Sequence, residues 1–149
     1  MVTNFSHMKN ESLIYEEMLR VEDLLVDGTG KLDYIYAMRG IRSALETIVL
    51  GWIKIANVNV ESGKEHRRTR MFECVCALQE SGGISKETKE LIEKIRRKAN
   101  KAVHYGEHLG IQKATTKELY DNAVEMYEKF YQLSYVYLEA KQKQRREKQ

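Results

Sequence analysis

Leu32, Ile35, Met38, Ile41, Leu45, Ile48, Trp52 and Ile55 follow one another at steps of three and four residues. Seven consecutive intervals of that kind place all eight side chains on one stripe of an α-helix and leave no room for the two-residue alternation of a strand. The spacing predicts a helix over about 32–56. Gly40 and Gly51 lie inside it, where they either weaken the helix or let a neighbour approach closely. The chain contains no proline in 149 residues. Proline removes a backbone donor and clashes with the preceding turn, so its absence favours long helices.

Four further segments carry the same period. Leu13, Ile14, Met18, Val21 and Leu25 mark a helix over about 10–26, which Asp27-Gly28-Thr29-Gly30 ends. Met71, Phe72, Val75, Cys76 and Leu78 mark one over 66–81, stopped by Gly82-Gly83. Ser85 is an N-cap for a fourth, with Leu91, Ile95, Ala99 and Ala102 on its buried face and Gly106 as its C-cap. Thr115 and Glu118 form a capping-box pattern for a fifth. Its Leu119, Ala123, Met126, Phe130, Leu133 and Tyr137 make one seam, and Tyr120, Val124, Tyr127, Tyr131, Tyr135 and Leu138 a second edge. Val58-Asn59-Val60 alternates like a strand but has no partner, and is read as loop. The expected fold is all-α, an antiparallel helical bundle of about five helices.

The length suits one domain with its own core, over 1–140, followed by a basic tail at 141–149. The last nine residues contain five cations and one anion, so they supply more than the whole net charge of +3. The body is therefore not basic overall, and any nucleic-acid contact must use local patches. No apolar run is long enough to span a membrane, and the first residues lack the pattern of a signal peptide. A cytoplasmic protein without a membrane partner is expected. Cys74 and Cys76 do not face each other on a helix, and are read as reduced thiols rather than a metal or disulfide pair.

One segment carries the types of residue that do chemistry. Arg96, Asn100 and His104 recur every fourth residue, so on a helix they share one polar stripe. Arginine can hold a phosphate through two parallel hydrogen bonds, and histidine can move a proton near neutral pH. Asparagine is a poor helix former, so Asn100 needs a reason to stand mid-helix: orienting the histidine, or meeting a ligand. A polar stripe can equally be a solvated face or a tie between two helices. Arg42 and Glu46 on the second helix have the spacing of a local ion pair, with Arg39 near them.

Ile41-Arg42-Ser43-Ala44-Leu45-Glu46, the stretch Phe72 to Leu78, and Ile95-Arg96 with Asn100 and His104 together resemble a helical domain family of unassigned function. That family is found alone in bacteria and phages and fused to restriction-endonuclease subunits. It is similar in turn to the HEPN superfamily (higher eukaryotes and prokaryotes nucleotide-binding). The match covers about 32–106. The resemblance implies a HEPN-like bundle, often a homodimer. It also implies a role in toxin–antitoxin or phage-defence systems, where many HEPN members are metal-independent ribonucleases. Their signature is an arginine, often followed by a polar residue, with four to six residues between it and a histidine. Arg97 and His104 have six residues between them and sit at the long end of that range; Arg96 and His104 have seven and fall outside it. Lys98 stands where a smaller polar group is usual, and Ala99 where glycine is.

RNA carries its own nucleophile, the 2′-hydroxyl, so a histidine for proton transfer and arginines on the phosphate suffice. The expected site is Arg97, His104, Arg96 and Asn100, supported by Arg42 and Glu46. Arg67, Arg68, Arg70 and Lys101 are candidate phosphate contacts. No cofactor is implied. No metal site is expected either: His104 and His108 are four apart, but Gly106 ends the helix between them and no other ligand completes a set. The expected partners are a second copy, RNA, and a cognate antitoxin or other protein. The alternative reading is a non-catalytic interaction module, and a phage-encoded antagonist of host defence is a variant of it.

Overall fold

A computed structural model gives the fold, and residues 4–60, 70–103 and 114–148 are described. They form five α-helices and one short 3-10 turn at Ser6–Met8. The helices are α1 (Ser12–Asp27), α2 (Lys31–Ala56), α3 (Arg70–Glu80), α4 (Lys86–Val103) and α5 (Thr116–Glu147). Among the described residues there is no strand, and Val58-Asn59-Val60 is irregular. No helix there is long and apolar enough to cross a membrane.

The ends follow local chemistry. Asp33 reaches back to accept from the amides of Thr29 and Gly30, both at 3.1 Å, which satisfies donors that the first turn of α2 leaves unpaired. Asn57 closes α2 in the left-handed conformation at φ 52°, a place asparagine tolerates better than most residues. Gly82 ends α3 at φ 81°. Ser85 Oγ accepts from the Thr88 amide at 3.1 Å, and Thr115 Oγ1 from the Glu118 amide at 3.0 Å, so both expected caps are present. The basic tail is not separate in form, since α5 continues through it to Glu147. The start expected for the third helix and the Gly106 cap lie outside the described residues.

Cross-helix contacts fix the directions. Gly40 lies against Glu17 and Val21, and Gly28 against Asp33, so α1 and α2 are antiparallel. Tyr34 meets Tyr120 and Trp52 meets Tyr137, with ring centroids 5.4 and 5.5 Å apart. The two longest helices, α2 and α5, therefore run parallel. Lys94 and Lys98 on α4 meet Glu125, and Lys98 also meets Asn122, which sets α4 antiparallel to α5. Gly51 makes the α2–α5 contact possible. A Cβ there would stand 2.2 Å from the Tyr137 hydroxyl. A Cβ at Gly40 would stand 2.6 Å from Val21 Cγ2. Both glycines serve close approach.

All six residues of the first α5 seam are buried. The second edge is only partly covered from within the chain: Tyr127 is buried, while Tyr120 and Tyr135 are exposed at 37% and 46%. Phe5 is buried against α5, with its ring 5.2 Å from that of Tyr127, which is itself fully buried and donates its hydroxyl to Glu22 of α1, and Met8 is fully buried in the same core. Each such buried ring or thioether stabilises the fold by about 1.5–3 kcal/mol. Leu13 and Leu32, expected inside, are 72% and 56% exposed. Ile14 and Ile35 hold the buried registers instead, and neighbours along a helix point about 100° apart. Phe72 is exposed at 47%, contrary to its expected core place. On α4, Ile92 is fully buried where Leu91 is only half-buried.

Candidate functional site

The site grows from the face of α4 that turns toward α2 and α3. From Lys94 to Lys101 this helix carries five cations and no carboxylate. Burying so much like charge on one helix face would cost stability, so partners from other turns and helices take up most of it. Lys94 Nζ and Lys98 Nζ both hold Glu125 of α5, at 2.6 and 3.2 Å, and Lys98 also donates to Asn122 Oδ1. Their hydrogen bonds hold the Glu125 carboxyl below its ordinary pKa.

Arg96 is committed as firmly. Its Nε and Nη2 donate to the two oxygens of Glu93, the shortest contact being 2.8 Å. Glu93 is buried, at 7% exposure. A carboxylate so placed needs its cation, because removing one member of a buried pair leaves the other charge uncompensated. The Arg96 guanidinium also lies over the Phe72 ring, 5.5 Å from its centroid. Arg96 thus has a structural task, and only Nη1 and part of Nη2 remain for a ligand.

Asn100 answers the question raised by its mid-helix position. Its Oδ1 accepts from Arg42 Nε on α2 at 2.8 Å. The same guanidinium pairs with Glu46 at 3.3 Å. Arg42, Glu46 and Asn100 are therefore one half-buried network joining two helices that lie 58 positions apart at the bond. The hydrogen bond, with one charged partner, contributes about 1.5–3 kcal/mol if water is largely excluded. The Arg42–Glu46 pair, open to solvent on one side, adds only a few tenths of a kcal/mol.

Two cations are left. Arg97 and Lys101 are exposed, one helical turn apart, and neither has a partner among the described residues. Both can meet an anion without breaking an internal contact. Arg97 and Arg96 also line an open groove of about 430 Å³ between α3 and α4, together with Phe72, Lys89 and Glu93.

His104 lies outside the described residues, as do Arg67 and Arg68. Arg70 is the first residue of α3. The structure thus joins Asn100 with Arg42 and Glu46, ties Arg96 to Glu93, and leaves Arg97 and Lys101 free. Among the described residues no group of three or more His, Cys, Asp or Glu side chains could hold a metal ion. Cys74 is buried, Cys76 is half-buried, and neither is in a disulfide. Sequence reasoning missed Glu93 and the exposed Phe72. The three-residue step from Glu93 to Arg96 was a usable signal for the first. Nothing local distinguishes an outward Phe72 from an inward one.

No curated protein and no solved structure matches the chain. A family does. Its match runs over 31–148, from the start of α2 through α5, and so takes in Arg42, Glu46, Glu93, Arg96, Arg97 and Asn100 together. The chain belongs to the family described as a domain of unknown function, DUF4145.

Proposed function

We propose that this chain is a HEPN-like helical module that acts on RNA in a prokaryotic or phage conflict system, by binding it and, through His104, cleaving it. The observation that carries the reading is the Arg42–Asn100 hydrogen bond. Two motif segments far apart in sequence meet on one surface, beside the exposed cations Arg97 and Lys101. Those cations supply phosphate contacts, the asparagine–arginine tie fixes the end of α4, and His104, four residues further along the sequence than Asn100, supplies proton transfer.

The test separates activity from stability. His104→Ala is compared with wild type for RNA cleavage, for toxicity on expression, and for melting temperature. Lost cleavage at an unchanged melting temperature supports the reading. A wild type that never cleaves RNA removes the catalytic part, and one that does not bind it removes the whole.

A second reading is favoured by a specific observation. Arg42 and Arg96, two of the arginines drawn in by the resemblance, are already engaged with Glu46 and Glu93. That is what a non-catalytic interaction module would do with them, whether its partner were an antitoxin or a host-defence protein.

The reading includes a homodimer. The surface taken for it is the outer stripe of α2, since Phe5 and α1 take up part of the second edge of α5 and leave Tyr120 and Tyr135 exposed there. Leu32, Tyr36 and Leu50 are exposed at 56%, 49% and 48%. Tyr36 and Leu50 stand seven residues either side of Ser43. A two-fold axis at Ser43, with the α2 helices antiparallel, sets Tyr36 of each copy against Leu50 of the other and brings Arg39 near Glu46.

A further inference from the structure

The groove between α3 and α4 is not explained by the network just described. Its α3 wall is Phe72 and Gln79, and its α4 wall includes Lys86, Lys89 and Arg97. Lys89 and Arg97 are eight residues apart on one helix, about 12 Å along the axis. Neither has an internal partner among the described residues, so both are available to a ligand. Two carboxylates also line the groove. Glu93 is neutralised by Arg96, and Glu90 is exposed, so the cations prevail.

Phe72 is the feature that selects among anions. A half-exposed phenyl ring on a charged wall costs burial that the core could have gained. It is also stiffened, because the Arg96 guanidinium lies over it and is itself held by buried Glu93. A fixed aromatic ring between cations suits a ligand that alternates flat rings with negative charges. Single-stranded nucleic acid has that pattern, and aromatic stacking with basic contacts to the backbone is how sequence-tolerant sites hold it. An acidic peptide would use the cations and leave the ring idle.

We infer that the α3–α4 groove is a single-stranded RNA subsite in which Phe72 stacks on a base and Lys89 and Arg97 hold flanking phosphates. The inference rests on the RNA reading above and extends it. The groove runs along α4 from Lys86 to Arg97, in the direction of Asn100.

The experiment titrates the full chain with a short fluorescein-labelled oligoadenylate and follows anisotropy at several salt concentrations. Phe72→Ala weakens binding by about tenfold, as loss of one stacked base does. Phe72→Leu, which keeps the apolar contact but not the π face, weakens it similarly, so a loss shared by both variants at unchanged melting temperature is not a folding defect. Lys89→Ala lowers the slope of log affinity against log salt by about one contact's worth, about 0.7 for a single strand. In a Phe72→Trp variant the new indole is quenched by unlabelled oligoadenylate, over the constant emission of Trp52, which is buried and out of the ligand's reach.

If the wild type binds RNA but all four variants bind as it does and the indole is not quenched, the groove inference falls and the RNA reading stands. If the wild type does not bind RNA even at low salt, both fall. If polyglutamate competes as well as oligoadenylate and quenches the same indole, the groove is a protein site and the inference falls.

Discussion

Arg42 of α2 donates its Nε hydrogen to Asn100 Oδ1 of α4 at 2.8 Å, and no other side-chain hydrogen bond among the described residues joins these two helices. The bond places a poor helix former in the middle of a helix and gives it a partner. Asn100→Ala is expected to improve helix propensity by a few tenths of a kcal/mol while losing the bond. The net expectation is a loss of about 1–2 kcal/mol. A double-mutant cycle with Arg42→Ala should return a coupling of about 1 kcal/mol. Urea unfolding of the four proteins gives the number. Strictly additive effects would mean that water replaces the bond at no cost.

How far the sequence could lead is clearest at this pair. Each partner was visible alone, because helical spacing put Asn100 on a stripe with Arg96 and put Arg42 one turn from Glu46. Their meeting was not, because it depends on the packing of α2 against α4. Long periodic stripes such as Ile35 to Trp52 were legible, since a buried helix face repeats its signal many times. Single positions near helix ends were not. Leu13, Leu32 and Phe72 are apolar and outward, and one residue's character cannot report its own azimuth. That Phe5 packs on the second edge of α5 was not legible either, because Phe5 lies in a segment too short to carry a period.

Gly51 permits the α2–α5 contact. Gly51→Ala gains helix propensity of about 1 kcal/mol but drives a methyl group to 2.2 Å from the Tyr137 hydroxyl. Tyr137 is buried and packs against Trp52, so it has little room to yield. A net loss of about 1–2 kcal/mol is expected, within the range for overpacking. In a Tyr137→Phe background the hydroxyl is gone, and the same substitution should cost distinctly less. Equal costs in the two backgrounds, measured by thermal melts, would place the strain elsewhere.

His7 ties the N-terminal turn to α5. Its Nε2 is 2.7 Å from Ser134 Oγ, and its ring stacks on Tyr135 with centroids 4.1 Å apart. Burial lowers its pKa from the ordinary value. The unfolded chain then binds a proton more readily than the folded one, so stability rises with pH through this window. The contribution is fully present above about pH 6.5 and is lost as pH falls through the lower, folded value. Wild type should therefore melt at a higher temperature at pH 7.5 than at pH 5.5, and His7→Gln should narrow the difference. A difference of the same size in the variant would assign the pH dependence to other groups.

The outer stripe of α2 gives the last prediction. Tyr36 and Leu50 are symmetric about Ser43, and the reading of a homodimer sets each against the other across a two-fold axis. In such an interface one substitution appears twice, so its effect is doubled. Tyr36→Glu would place two carboxylates against apolar Leu50 side chains and remove the two rings that pack there. Tyr36 is half exposed in the isolated chain, and its ring carries the Arg39 guanidinium at 5.6 Å, so the monomer should keep its melting behaviour at low concentration. Light scattering should show wild type moving toward twice the mass of the chain as concentration rises, and Tyr36→Glu remaining at the single mass. The check on position is Val26→Glu, at an apolar residue on α1 that is still more exposed than Tyr36. It should leave association unchanged. If Val26→Glu and Tyr36→Glu act alike, association is a general response to exposed apolar area. If wild type stays monomeric throughout, the α2 stripe is not a contact between copies.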